Sequence, residues 1–373
     1  MPLAMLTLNP HTELERRRWS HRLGLGAVLL TSLAILNACS SVHSSLAYVA
    51  TGTGVFAYRI DENTGSVVAI IDSPFLATTS SKTATSPAGV AVHPSNRFLY
   101  LTNQDQNTVS LFNIDPVSGA LTEVLPRAAA GISPGPVLLD ASGSTLFVAN
   151  QRSNDVSIFS VSSKGSLSQT SRVNLSSTPS SMALPASGNL LFVGLPNLSA
   201  VDVFRLSSGS LTRVSGSPFT LNVSVGSLAV DDQGKFLFVP NPSQNTVSAF
   251  AVQPGGSLAV VPGSPFATGV APVAALVRPG AGFLYVVNSG ATTVSQYSIA
   301  SSNGSLTALT DTAPTVGTNP QFLVLDPSGK FVFVANVGSS SFTELSFNSD
   351  GSLAATSNSI QVGSVPRGLA FTR

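Results

Sequence analysis

Charge is what this chain has least of. Only 9% of its 373 residues are Asp, Glu, Lys or Arg, while 43% are hydrophobic. That balance excludes a disordered chain and is enough for a large core. Histidine is nearly as scarce, and of the four present only His93 lies well inside the folded part. A Ser/His relay therefore has little to be built from, and no Gly-x-Ser-x-Gly elbow occurs. The single cysteine, Cys39, excludes an intramolecular disulfide and any multi-cysteine metal site. Carboxylates are scattered singly, without the dense oxygen spacing of calcium loops, so no metal and no cofactor is expected. Beyond the N-terminal segment no stretch shows helical periodicity. The net charge is +1, but residues 1–39 hold four Arg against two Glu, leaving 14 Lys and Arg against 15 Asp and Glu in 40–373. A domain so balanced lacks the basic footprint that nucleic acid requires.

What is present begins with a targeting pattern. Arg16, Arg17, Arg18 and Arg22 precede Leu23–Leu36, an uncharged apolar run of 14 residues. A basic stretch followed by a short apolar one is the secretory pattern, too short for a comfortable membrane span. The following Leu36-Asn37-Ala38-Cys39 resembles the bacterial lipobox. That resemblance implies lipidation of Cys39 as the mature N-terminus, with 1–39 a lipoprotein signal peptide, 40–45 a short tether, and Ser40 favouring the outer membrane. The protein is expected to be exported to the cell envelope, lipid-anchored at the outer membrane or periplasmic face.

From residue 46 onward one pattern repeats seven times: a hydrophobic strand carrying an aromatic, then Val or Leu, and usually an Asn. Its aromatics are Tyr48, Tyr100, Phe147, Phe192, Phe238, Tyr285 and Phe333, at steps of 52, 47, 45, 46, 47 and 48 residues. Each copy adds a second β-rich run, such as Val109-Ser110-Leu111-Phe112 or Val156-Ser157-Ile158-Phe159. A Gly-small-aliphatic step follows, such as Gly165-Ser166-Leu167, where Gly supplies the positive φ of a tight hairpin. A small apolar strand introduced by Pro or Gly completes the unit. Four strands per repeat of about 45 residues is the arithmetic of a propeller blade. The first copy lacks its small apolar strand, and the chain ends with a spare one, Pro366-Arg367-Gly368-Leu369-Ala370-Phe371. The expected fold is all-β: a seven-bladed β-propeller over 46–373, four antiparallel strands per blade, its first blade closed by the C-terminal strand.

The repeated strand, the Gly-Ser-Leu turn and the steps Ser73-Pro74-Phe75, Ser217-Pro218-Phe219 and Ser264-Pro265-Phe266 resemble the seven-bladed lactonase-type propellers, which include 6-phosphogluconolactonase-like and muconate-cyclising enzymes. The resemblance implies hydrolysis or formation of a lactone ring, here of a sugar or related lactone. In that family His, Glu and Arg on one propeller face are associated with the chemistry, including a His-x-His stretch that this sequence does not have. His93 falls at a turn where other copies have Asp140, Asp231, Arg278 and Asp326, so it reads as a turn residue on the opposite face.

Recurring residues belong to the scaffold, including Asn103, Asn150, Asn241, Asn288 and Asn336, which read as side-chain caps of turns. Chemistry is sought where the copies differ. Four of the loops between second and third strands are uncharged: 195–200, 242–246, 289–293 and 337–341. Two neighbouring ones are not: Gln104-Asp105-Gln106-Asn107 and Gln151-Arg152-Ser153-Asn154-Asp155. Asp105 or Asp155 is the expected base, and Arg152 or Arg367 the expected anion or oxyanion partner. Arg127, Gln321, Gln104 and Gln151 are candidate ligand-binding residues. The alternative is that these are ordinary solvated charges on a non-catalytic propeller that binds a glycan, peptide or envelope protein. A monomer is expected, with a small lactone or an envelope ligand as partner.

Overall fold

The structure is a computed structural model that describes residues 44–76, 86–309 and 314–373. The lipidation, signal and most of the tether expected from the sequence lie outside the described residues. Among those described, the chain forms seven antiparallel sheets arranged as a ring, and its one helical element is a 3-10 turn at Pro196–Leu198. Blades 2 to 7 span 87–129, 134–174, 181–220, 229–267, 272–308 and 320–361. Blade 1 takes Ser44–Thr51, Gly54–Asp61 and Val67–Ala69 from the start of the domain and its innermost strand, Pro366–Phe371, from the end. Pairing of Val49 with Leu369 and Ala47 with Phe371 closes the ring as the spare C-terminal strand implies. The first strand begins at Ser44, two residues before the expected start.

The second strand of each blade carries the repeated aromatic and is almost wholly buried, as in Phe98–Asn103, Thr145–Asn150 and Phe331–Asn336. Its β-branched and aromatic side chains pack between neighbouring blades, so the core is a set of clusters at the seams. The seven Gly of the Gly-small-aliphatic turns all have φ between 72° and 93°, which a side chain would strain. A Cβ on Gly165 would also stand 2.7 Å from the Phe98 ring of the preceding blade. The turn carbonyls are held across the seams: Tyr48 donates to Gly119 O at 2.9 Å and Tyr100 to Gly165 O at 2.8 Å, and Tyr285 holds Gly351 O likewise. Burial pushes all three phenols well above their ordinary range, so they remain protonated donors.

The closing seam solves the same problem differently. Blade 7 has Phe333 where blades 1, 2 and 6 have Tyr, so no phenol reaches Gly65 of blade 1. Asn358 Nδ2 donates to Gly65 O instead, at 3.2 Å, and also to Oε1 of Glu344, at 3.2 Å. Glu344 is fully buried, and its Oε2 has no hydrogen-bond partner. Desolvation pushes its carboxyl up to about 7, with Asp326 adding to the rise and hydrogen bonds from Asn358 and Thr356 opposing it.

The three Ser-Pro-Phe steps have a structural task. Each follows the Gly-turn strand and lets the chain bulge and rejoin the third strand. Ser73, Ser217 and Ser264 accept the third-strand N–H of Ala57, Val203 and Ala249, and the Phe then pairs with Val55, Val201 or Val247. In blade 5 the innermost strand shrinks to Ala229–Val230. Pro240 has no N–H to offer that strand at this level. Ser227 N bonds Val273 O of blade 6 instead, at 2.7 Å.

Candidate functional site

The innermost strands converge on a cavity of about 620 Å³ along the axis. Its wall comes from the innermost strands of blades 1, 2, 3, 4 and 7, Ser227 and Leu228 of blade 5, and the loop residues Gln104 and Gln151. Small residues make the convergence possible: a Cβ on Gly89 would meet Gly135 O at 2.4 Å. Thr102 fixes that contact, accepting Gly89 N at 2.7 Å and donating to Gly135 O at 2.8 Å.

Four of the expected residues line this cavity together: Gln104, Gln151, Gln321 and Arg367. Gln104 Nε2 donates to Ser133 Oγ at 3.0 Å and to Gln151 Oε1 at 3.1 Å, linking the loops of blades 2 and 3. Gln321 donates to Asn319 Oδ1 at 2.6 Å. Among the described residues, Arg367 is the only ionisable side chain on the wall. Its Nη1 donates to Ser86 Oγ at 3.0 Å and to Pro87 O at 3.4 Å.

Asp105 is exposed, one hydrogen-bonded step beyond the wall. Its Oδ1 accepts the N–H of Ser86 at 3.0 Å, and Gln104 N donates to Ser86 O at 3.0 Å. Ser86 therefore joins a loop carboxylate and a strand guanidinium that lie more than 250 residues apart in the chain. Asp105 Oδ2 has no protein partner among the described residues, so one carboxylate oxygen is open to water. Ser86 was not visible in the sequence as a functional residue, since Ser133 also precedes a Pro at the same point of its blade.

Three expected residues lie elsewhere. Asp155 does not belong to the loop. It is the first residue of strand Asp155–Val161, 3% exposed, and accepts Asn150 Nδ2 at 2.6 Å with Arg172 Nε at 3.6 Å. The physical reason is the repeat: Asp155 fills the place of Thr108, Thr293 and Ser341, which meet Asn103, Asn288 and Asn336 in the same cap. Arg127, a candidate ligand-binding residue, is on the outermost strand of blade 2, Leu121–Ala129. Its side chain is 8% exposed, bridging Glu123 at 2.7 Å and donating to Gln106 Oε1 at 2.6 Å. Arg152 is exposed, with no side-chain partner among the described residues.

His93 sits at the far end of the ring, its Nδ1 beside Ser95 Oγ at 2.8 Å and its Nε2 beside Gly143 O at 3.1 Å, both turn contacts. Among the described residues no group of three or more His, Cys, Asp or Glu could hold a metal ion.

A seven-bladed ring with a polar collar on its axis defines a class, and comparison with known proteins narrows it. The family model for lactonases with a seven-bladed β-propeller matches residues 43–179 and 259–367, and the chain belongs to that family. The unmatched stretch contains the two shortest innermost strands, Ser181–Ala183 and Ala229–Val230. No curated protein matches the chain. Among solved structures, a putative 6-phosphogluconolactonase from Bacteroides fragilis is similar with TM-score 0.75 at 20% identity, covering 90% of this chain and 99% of that one. A periplasmic gluconolactonase from Pseudomonas aeruginosa is similar with TM-score 0.73 at 21% identity, covering 88% and 99%. A putative 6-phosphogluconolactonase from Bacteroides uniformis gives TM-score 0.74 at 18% identity, covering 88% and 99%. At these identities the likeness establishes the fold.

Proposed function

We propose that this protein is an exported, lipid-anchored lactonase that opens a small sugar or related lactone at the mouth of its axial cavity. The observation that carries the reading is the junction at Ser86, where Asp105 and Arg367 are held one residue apart beside a collar of three amides. Asp105 is the base: a water on its free oxygen gives up a proton while the water oxygen bonds to the lactone carbonyl carbon. Arg367, with the Ser86 hydroxyl, faces the oxyanion that results. Collapse breaks the ring C–O bond, and the leaving alkoxide takes the proton from Asp105. The product is a hydroxy acid whose carboxylate pairs with Arg367. Gln104, Gln151 and Gln321 supply donors and acceptors to ring substituents. Export rests on the sequence pattern before Cys39 alone.

One observation favours a second reading, binding without turnover: among the described residues Arg367 is the sole ionisable group on the cavity wall. The two readings separate in one assay. Purified 40–373 is incubated with a panel of lactones, wild type beside Asp105→Asn and Arg367→Ala. Hydrolysis lost in both variants supports catalysis at this junction. Binding of the open hydroxy acid without hydrolysis of its lactone supports the second reading.

A further inference from the structure

The two most exposed large apolar side chains among the described residues, Ile71 at 84% and Val117 at 83%, stand at one corner of the ring. Ile71 belongs to blade 1, and Val117 to the turn of blade 2 that ends at Gly119. The blades meet between them: a Cβ on Gly119 would stand 2.5 Å from Ile70 and 2.9 Å from Leu46. Arg59 ties the corner together. Its Nη2 donates to Val117 O at 2.6 Å and its Nη1 to Ser44 Oγ at 3.2 Å. Val68, 62% exposed, pairs with Arg59 across the ladder and so shares its face of the blade.

Neither Ile71 nor Val117 follows the repeat. Two places before the turn Gly, where blade 2 has Val117, other blades have Asn63, Ser163, Ser302 and Ser349. Two places before the Ser-Pro-Phe step, where blade 1 has Ile71, blades 4 and 5 have Ser215 and Pro262. The ring does not require aliphatic side chains at these points, and exposure to water disfavours them.

Ser44 supplies the reason for looking to a bilayer. Cys39 precedes it by five residues, which fully extended span at most about 18 Å. The collar is at the other end of the same strand. A Cβ on Gly52, just past Thr51, would stand 3.6 Å from Arg367 Nη2, and Ser44 lies about 23 Å of strand away from Thr51.

We propose that this corner is a membrane-contact surface, with Ile71, Val117 and Val68 set among the headgroups and upper methylenes of a phospholipid bilayer. The proposal rests on the proposed function for the anchor alone, and it adds the orientation of the anchored ring: corner on the lipid, collar away from it. Arg59 stands among Asp61, Asp72 and Asp115, so the contact is apolar and needs no anionic lipid. Three aliphatic side chains are too few to hold a free protein, but a short tether keeps them at high local concentration beside the surface. The mouth of the axial cavity then opens to soluble ligands.

The test supplies its own anchor. Purified 40–373 contains every strand of the ring and is tethered by a histidine tag at residue 40 to phosphatidylcholine vesicles doped with a nickel-chelating lipid. It has no cysteine of its own, so Val117→Cys, Val260→Cys and Arg152→Cys each carry a single environment-sensitive dye. Val260 is an exposed valine on blade 5, across the ring, and Arg152 is in a loop at the collar end. Iodide quenching at 117 is expected to fall about threefold on tethering, with 260 and 152 unchanged, and Ile71→Asp to restore it. Circular dichroism confirms that each variant folds. Equal quenching at all three sites, protection at 152 instead of 117, or protection that survives Ile71→Asp overturns the proposal. So does a dimer of untethered protein in sedimentation that Ile71→Asp dissolves, which would give the surface to a second copy of the chain. Mass spectrometry of Cys39 in the full chain separates the two readings: an unmodified Cys39 overturns the lipid anchor of the proposed function, while protection at 117 still sustains the contact surface.

Discussion

The hairpins of blades 2 and 3 share their design, and each carries an aspartate, yet the two acids have different tasks. In blade 3 the acid is Asp155, set into the cap position that Thr or Ser fills in other blades and bonded to Asn150. In blade 2 that position holds Thr108, bonded to Asn103. The acid there is Asp105, in the loop itself, and it reaches across to Ser86. An acid in a repeated position serves the repeat, whereas an acid outside it is free to face water and ligand. A third case, Glu344, stands where blade 6 has Gln296. Gln296 offers its carbonyl oxygen to Leu353 N of the next blade, while Glu344 keeps one oxygen without a partner.

The largest effect that would sharpen the contrast is on turnover. Arg367→Ala should lower kcat/KM for a hydrolysed lactone by 10²-fold or more while leaving the melting curve unchanged, by analogy with loss of an oxyanion donor. Asp105→Asn should act in the same direction, again without loss of stability.

Asp155→Ala should do the opposite. It removes the shortest of the contacts made by Asn150 Nδ2 in a buried cap, leaving Ser157 Oγ at 2.9 Å, and unpairs Arg172, at about 1–3 kcal/mol in urea unfolding. Ligand affinity per folded molecule should be unchanged. If Asp155→Ala abolished turnover at normal stability, the division between scaffold and chemistry would fail.

Glu344→Gln comes next, and its effect depends on pH. The carboxyl is raised from an ordinary 4.5 to about 7 in the fold. Between those values the native state holds a proton that the unfolded chain has lost, so wild-type stability falls as pH rises through this window and levels off above it. The Gln variant lacks this titration and should match wild type near pH 4, then exceed it above pH 7 by up to roughly 2–3 kcal/mol. Parallel stability–pH curves for the two proteins would contradict the assigned environment. Smallest of all is Arg152→Ala: an exposed side chain without a partner should change stability by no more than about 0.5 kcal/mol and leave turnover as it was.

Much of this was legible in the sequence. The steps between Tyr48 and Phe333, the turn glycines and the spare strand at Pro366 specify the ring, because strand period and turn chemistry are local properties of the chain. The collar was legible too, since Gln104, Gln151, Gln321 and Arg367 each stand at a known point of the repeat. Asp155 was misplaced because the loop was read without aligning its last residue to Thr108 and Thr293. Arg127 lies away from the collar because the outermost strand of blade 2 runs on to Ala129, carrying the guanidinium back onto Glu123. Ser86 and the Glu344–Asn358–Gly65 seam could not be read from the chain. Each depends on contacts between segments that only ring closure brings together, with Asn358 and Gly65 separated by 293 positions.

The central claim is that the Asp105–Ser86–Arg367 junction is where a lactone is opened. Its most direct test is the initial rate of lactone hydrolysis by purified 40–373 and by Asp105→Asn, with Asp155→Asn as the matched control. The account predicts measurable turnover in wild type and in the folded fraction of Asp155→Asn, and its loss in Asp105→Asn. Wild-type protein that opens no lactone, or an Asp105→Asn variant that opens it at the wild-type rate, would contradict it.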